Sequence, residues 1–376
     1  MNDITKHLDT LRMSGNLRSI GPHLSQSGLI DLSSNDYLGL AANQQLQNEF
    51  FSNGSRQYPM TASASRLLSL HQQSYTNLED LLGSLYGRNA LLFNSGYHAN
   101  SGIIPAITGK NTLIVCDKLV HASIIDGIIL SRARFVRFRH NDLDHLQEII
   151  RANRNKHSDI LVITESVFSM DGDICNLPLL VKIKKENPGT RLYVDEAHGF
   201  GVFGKRGLGV CERDGVINDI DIIIGTLGKA GASVGAFAIT DAATKDFLIN
   251  TARCFIFSTM LPPINCAWSQ LIVTHIINME AERKHLLDIA RHLAEGLLAL
   301  GYDHASQSQI VPLIVGDSHK VLELSHTLRT LGYIALPIRT PTVPAGTERI
   351  RFSLTATLPD TTIDDLLTDL KTLLQQ

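Results

Sequence analysis

The chain is poor in cysteine. The five it has (Cys116, Cys175, Cys211, Cys254, Cys266) are odd in number, scattered and free of any C-x-x-C pair. That pattern argues against a disulfide framework and against a cysteine zinc site, and it fits reduced thiols in the cytoplasm. Long apolar runs are missing too: none approaches the roughly 18 unbroken residues that a membrane span needs. The start, Met1 to Asp9, carries Asp3, Lys6, His7 and Asp9 without an apolar stretch, so no secretory signal is expected. Neither sign of charge dominates. The 34 Lys+Arg against 37 Asp+Glu leave a net −3, which excludes a strongly basic nucleic-acid binder and an acidic tail protein. There is no internal repeat and no low-complexity tract. These absences leave a soluble cytoplasmic enzyme as the expected class.

What is present is a core. The 376 residues are 44% hydrophobic and 19% charged, too apolar for a disordered chain. A chain of this length buries a sizeable interior and suggests two or three domains, or one large domain with a satellite. After a short helix at 4–13, an irregular and partly extended lead-in follows. Tyr75, Leu78, Leu81, Leu82 and Leu85 mark a helix. Short apolar runs then alternate with helical patterns: Ala90–Phe93, Thr112–Cys116, Phe135–Phe138, Ile160–Thr164, Arg191–Asp195, Ile222–Gly225 and Gly235–Ile239. Several are continuous, as in strands buried on both faces. The expected fold class is therefore α/β, a mostly parallel seven-stranded sheet with helices on both faces. Pro262-Pro263 opens a long helical stretch to about Leu300. Beyond it, a strand at Ile310–Val315, a helix at Ser318–Leu331, strands at Tyr333–Leu336 and Arg349–Ser353 and a last helix at Thr361–Leu374 suggest a smaller α+β domain. The boundaries read as an N-terminal segment 1–39, a large domain 40–262, and a bridging helix with the small domain over 263–376.

In an open α/β sheet, ligands bind beyond the carboxyl ends of the strands. Polar and ionisable residues collect there. Asn94, Ser95, Gly96 and Tyr97 follow one strand, and Asp117 and His121 another. Glu165, Ser166 and Ser169 follow a third, Asp195 and His198 a fourth, and Thr226 and Lys229 a fifth. A lysine among small residues (Gly228, Ala230, Gly231, Ala232) can lose pKa and form a Schiff base. A carboxylate ending an apolar strand, Asp195, needs a partner, and a protonated heterocyclic nitrogen would serve. Ser95-Gly96-Tyr97 at a helix start offers backbone N–H groups to a phosphate. Together the three describe pyridoxal phosphate.

Each residue alone has a plainer reading. Lys229 could be a solvated surface lysine, Asp195 a helix cap, His121 a cap or a satisfied core histidine, and Ser95-Gly96 an ordinary turn. Their shared placement at one sheet edge favours the chemical reading. Gly199-Phe200-Gly201-Val202-Phe203-Gly204 matches G-x-G-x-x-G, but a dinucleotide site needs the glycines directly after a strand and opening a helix. Here Asp195-Glu196-Ala197-His198 intervenes and more glycines follow, so a tight loop beside the cofactor is expected instead.

The ordered motifs resemble the α-oxoamine synthases, a family of fold type I pyridoxal-phosphate enzymes. They are Ser34-Asn35-Asp36-Tyr37-Leu38-Gly39-Leu40; Phe93-Asn94-Ser95-Gly96-Tyr97 with Ala99-Asn100; His121-Ala122-Ser123; Glu165 through Asp173; Val194-Asp195-Glu196-Ala197-His198-Gly199; Gly225-Thr226-Leu227-Gly228-Lys229-Ala230; and Phe257-Ser258-Thr259. They cover the chain from about residue 30 onward.

The resemblance implies roles. Lys229 would hold the cofactor as a Schiff base and later move the α-proton. Asp195 would pair with the ring nitrogen, His198 with the ring oxygen, and His121 would stack on the ring. Ser95, Glu165 and Ser169 would also contact the cofactor. Gly96, Tyr97 and Thr226 would bind its phosphate, with Ser258 and Thr259 from a second subunit of a homodimer. Asn35, Arg351 and Thr355 would contact substrate together with an N-terminal arginine, Arg12 or Arg18.

The C-terminal strings Pro312–Asp317 and Pro337–Pro344, with Arg349-Ile350-Arg351, are similar to those of members that condense L-alanine with a pimeloyl thioester for biotin biosynthesis. The carrier of that thioester, coenzyme A or an acyl carrier protein, stays open. The competing readings are a member that joins glycine to acetyl-CoA and a silent partner subunit. One stretch departs from the family: Met60 to His71 lacks several of its usual glycines. If the loop needs positive φ, Ala and Leu there would be strained and its path changed.

Overall fold

The computed structural model describes residues 3–18, 28–52, 54 and 57–374. The short pair partner β1 (Ile30–Asp31) comes first. The central sheet then comprises β2 (Asn89–Phe93), β3 (Thr112–Asp117), β4 (Arg134–Phe138), β5 (Asp159–Glu165), β6 (Thr190–Asp195), β7 (Ile222–Thr226) and β8 (Ala236–Thr240). Its seven strands lie in the order β2-β8-β7-β6-β5-β3-β4. The neighbours β4, β3, β5, β6 and β7 run parallel, while β8 is antiparallel to both β7 and β2. All seven expected strands are present, each within a residue or so of its expected ends.

The chain divides into two compact units. The larger comprises residues 38–168 and 174–283 and holds the sheet. Its core packs the helices Gly96–Ile107 and Ala122–Ser131 on the sheet: Ile103, Ile104, Ile124 and Ile128 are all essentially buried beside Ile114, Ile163, Tyr193 and Ile224. Burying one such side chain contributes about 1.5–3 kcal/mol. The two helices come together closely because Gly127 has no Cβ; one there would lie 2.6 Å from the Asn100 carbonyl oxygen.

The smaller unit comprises residues up to Tyr37, 169–173 and from Lys284 onward. It holds β9 (Ile310–Ile314), β10 (Tyr333–Ile334), β11 (Pro337–Ile338) and β12 (Arg349–Ser353). The antiparallel order is β11-β12-β9. β1 pairs in parallel with β10, Ile30 opposite Tyr333, which ties the N-terminal segment to this unit and not to the sheet it precedes in sequence. The single long helix expected from Pro263 is two helices, Pro263–Ile276 and Glu280–Ala299. Arg283, buried, donates to the Ile276 carbonyl at 2.5 Å and to the Lys205 carbonyl. It thereby satisfies a helix-end acceptor that a continuous helix would have used itself. The first of the two belongs to the larger unit, packed on the helix Gln73–Tyr86. Among the described residues no helix is long and apolar enough to cross a membrane.

Candidate active site

The carboxyl ends of β3, β5, β6 and β7, with the start of the helix Gly96–Ile107, enclose a cavity of about 180 Å³. Gly96, Tyr97, Asn100, His121, Ser123, Glu165, Asp195, Ala197, His198, Thr226 and Lys229 line it. The expected Lys229, Asp195, His198, His121, Glu165, Gly96, Tyr97 and Thr226 therefore meet at one place in the larger unit.

Local structure explains the convergence. Ser95, extended at φ −165°, caps the helix after β2, its Oγ accepting from the His98 N–H. This leaves the first-turn amides of Gly96 and Tyr97 at the cavity edge, where an anion is favoured. His121 caps the helix Ala122–Ser131, its Nδ1 accepting from the Ser123 N–H at 3.2 Å. The His121 N–H in turn donates to Glu165 Oε1 at 2.5 Å. On the loop after β6, Ala197 N–H donates to Asp195 Oδ1 at 2.9 Å. After β7, Gly228 N–H donates to Thr226 Oγ1 at 3.2 Å. Lys229 Nζ lies 2.8 Å from His198 Nε2.

Burial shifts two ionisable groups of the cavity. Burial lowers the His121 pKa, Asp195 opposes the shift, and Lys229 adds to it. Burial, reinforced by Asp195, raises the Glu165 carboxyl well above its usual range, with Lys229 and the His121 N–H opposing. Asp195 is buried and held by two neutral donors, Asn100 Nδ2 at 2.7 Å and the Ala197 amide.

This donor set fits pyridoxal phosphate. A buried carboxylate with neutral donors suits a protonated ring nitrogen. A lysine amine lies beside a histidine, and a helix start supplies amides for a phosphate. A Cβ at Gly96 would meet nothing within 4 Å, so the backbone there is open to approach.

Other expected residues lie elsewhere. Ser95 is engaged as the helix cap, with its Oγ also 2.9 Å from His98 Nδ1. Asn94 Nδ2 donates to Ser258 Oγ at 3.2 Å and to the Thr259 carbonyl at 2.6 Å. Ser258 lines a second pocket with Arg66 and Tyr75. In the smaller unit, Arg351 donates to Asn35 Oδ1 at 2.5 Å, Thr355 Oγ1 is 3.4 Å from Thr357 Oγ1, and Ser169 is half-buried. Arg12 pairs with Asp9 on the surface of its helix, and Arg18 donates to Thr342 Oγ1 at 2.5 Å.

The decoy glycines form a loop without a helix, wrapped around Glu196. That carboxylate, fully buried, accepts from Ser166 Oγ at 2.5 Å and from the Cys211 N–H at 2.6 Å. A Cβ at Gly199 or Gly209 would collide with it. In the Met60–His71 stretch the expected strain at Ala or Leu is absent: the residue with positive φ is Ser63, at 50°.

Sequence reading also passes over three things. Gly231-Ala232-Ser233-Val234-Gly235 is a G-x-S-x-G string. It leads into β8 instead of a helix, and Ser233 Oγ is 2.8 Å from Ser269 Oγ, so it is no nucleophile elbow. Asn100 and Ser123 line the cavity although reading the sequence gave them no role. A buried Asn inside an otherwise apolar helix face is the signal that could have found the first.

Comparison with known proteins agrees with this geometry. Residues 27–370 match the sequence profile of the class I and II aminotransferases. The chain is 49% identical over 348 residues to the Pasteurella multocida (strain Pm70) protein named "Putative 8-amino-7-oxononanoate synthase", covering 92% of this chain and 90% of that one. A structure of a serine palmitoyltransferase variant from S. paucimobilis with bound PLP superposes with a TM-score of 0.90 at 27% identity, covering 99% and 96% of the two chains. The 8-amino-7-oxononanoate synthase structure from Francisella tularensis gives 0.79 at 30% identity, covering 93% and 98%.

Proposed function

The chain belongs to the class I and II aminotransferase family, as an enzyme of fold type I with pyridoxal 5'-phosphate as its cofactor, and from that premise we propose that it condenses L-alanine with a pimeloyl thioester. The products are 8-amino-7-oxononanoate, carbon dioxide and the free thiol carrier. The observation that carries the reading is the 2.8 Å approach of Lys229 Nζ to His198 Nε2 in the cavity that Asp195 closes. The names of the relatives support the substrates.

When bound, the cofactor supplies an aldehyde that condenses with amines and a ring that takes up the electron pair left at the α-carbon. This chain's residues do the rest. The Asn100 and Ala197 donors aim the Asp195 carboxylate, which would hold a proton on the ring nitrogen. His198 would donate to the ring oxygen, and His121 would lie against the ring. Gly96, Tyr97 and Thr226 would bind the phosphate, joined by Ser258 and Thr259 of a second copy in a homodimer. Glu165 holds the turn that presents His121. Lys229 Nζ would take the α-proton and later return one.

Arg351, oriented by Asn35, would clamp a substrate carboxylate through charge-assisted bonds, with Thr355 and an N-terminal arginine alongside, while Ser169 would contact the cofactor. The acyl group arrives on coenzyme A or on an acyl carrier protein. A second reading, glycine with acetyl-CoA, uses the same residues; the Pro337–Pro344 segment favours the first.

Mass spectrometry of parallel reactions tests the choice. Alanine with pimeloyl-CoA or pimeloyl-carrier protein should yield 8-amino-7-oxononanoate. Product only from glycine with acetyl-CoA would replace this reading with the second.

A further inference from the structure

Tyr193, Asn100 and Ser123 form a directional chain of hydrogen bonds that reaches both Asp195 and His121. Tyr193 Oη is 2.6 Å from Asn100 Oδ1. Asn100 Nδ2 is 2.7 Å from Asp195 Oδ2 and 3.0 Å from Ser123 Oγ. Ser123 Oγ is 2.8 Å from His121 Nδ1. Asn100, Ser123 and Tyr193 are each essentially buried, so every polar atom there needs its partner.

The direction of each bond follows from the groups at its ends. As a carboxylate, Asp195 only accepts. Asn100 must therefore turn its NH₂ toward Asp195, and the second hydrogen of that NH₂ goes to Ser123 Oγ. The amide oxygen faces Tyr193, whose phenol burial keeps protonated, with its pKa raised well above the ordinary value. Tyr193 thus donates. Ser123 Oγ, accepting from Asn100, has its own hydrogen left for His121 Nδ1. The Ser123 backbone N–H donates to the same Nδ1. A nitrogen that accepts twice carries no proton.

We propose that Tyr193, Asn100 and Ser123 are positioning residues that lock His121 as the neutral Nε2–H tautomer. The same Asn100 amide aims Asp195. One side chain therefore sets two of the three groups that the proposed reaction places on the cofactor ring, Asp195 and His121, and in that respect the inference rests on that reading. The locked histidine puts no positive charge against the ring whose protonation Asp195 supports. It offers a donor at Nε2 and no base, which leaves proton removal at the α-carbon to Lys229.

The test is nitrogen-detected NMR of ¹⁵N-histidine-labelled full-length protein, cofactor-free and loaded, with His121 assigned by its loss in His121→Gln. The expected signature in both forms is an unprotonated Nδ1 and a protonated Nε2, persisting below pH 6.5, the ordinary histidine value. Ser123→Ala should mix the tautomers and raise the His121 titration midpoint by about 0.5–1 unit, the worth of one hydrogen bond. Ser123→Thr, which keeps the hydroxyl, should restore the wild-type curve. Tyr193→Phe is the second probe should Ser123→Ala fail to fold, and it should shift the midpoint the same way by less. A protonated Nδ1 in the wild-type protein overturns the proposal, as does a Ser123→Ala curve that superimposes on the wild type. Failure of the substrate assignment would appear in the product assay and leave these nitrogen signals unchanged.

Discussion

Lys229 Nζ and His198 Nε2 face each other at 2.8 Å across the loops that leave the adjacent strands β7 and β6. Lys229→Ala removes the amine without disturbing the sheet beneath it. Turnover should fall to background, while the circular-dichroism spectrum and melting temperature stay near wild type. Measurable wild-type-like turnover would remove Lys229 from its role.

Asp195→Asn keeps the shape and replaces the negative acceptor with a neutral amide. A loss of roughly 10²–10³-fold or more in kcat is expected, the scale on which one electrostatic partner of a reaction is felt. Steady-state kinetics with saturating cofactor checks it. A near-normal kcat would contradict a charge partner for the ring nitrogen.

Glu165 gives a pH signature. Its folded pKa is raised above the ordinary 4.5, so the folded chain retains a proton that the unfolded chain releases. The stability this group contributes is present below about pH 4.5 and is lost as pH climbs through the folded value. Glu165→Gln cannot ionise. In urea titrations of the cofactor-free protein from pH 4 to 8, wild-type stability should drop relative to the variant as pH rises, with the gap smallest at pH 4. A constant gap would contradict the raised pKa.

How far the sequence could be read depends on where each signal lives. β7 was legible because Ile222-Ile223-Ile224 is buried on both faces and reads as a continuous apolar run. Lys229, Asp195 and His121 were legible because each follows such a run. Asn100 was not, because its role depends on Tyr193, 93 residues away, and on Gly127 letting two helices close on it. The break after Ile276 was hidden for the same reason: its acceptor is met by Arg283, which also reaches Lys205, 78 residues back in the chain. In the Met60–His71 stretch, positive φ falls on Ser63, a polar residue that composition does not single out.

That stretch has a stabilising anchor. Arg66 donates to both Glu79 oxygens at 2.9 and 3.0 Å and lies 4.5 Å over the Tyr75 ring, while Glu79 also accepts from the Leu92 N–H. Arg66→Met leaves a buried carboxylate whose remaining partners among the described residues are the Leu92 N–H and Lys245, at 4.0 Å. A loss of about 3 kcal/mol is expected from denaturant unfolding. A loss under about 1 kcal/mol would mean the pair is solvated.

Arg351, bonded to Asn35, should act on binding. Arg351→Ala is expected to raise KM for one substrate roughly 10–100-fold with a smaller change in kcat, the worth of a charge-assisted bond. An unchanged KM for both substrates would remove the clamp.

The proposed preference for alanine at the pyridoxal-phosphate site has a direct optical readout. The most direct test is the absorbance spectrum of the loaded protein, titrated separately with L-alanine and glycine. The account predicts a cofactor band that responds saturably to alanine and more weakly to glycine. A response led by glycine would contradict the substrate assignment. A protein supplemented with cofactor that shows no bound band would contradict the site itself.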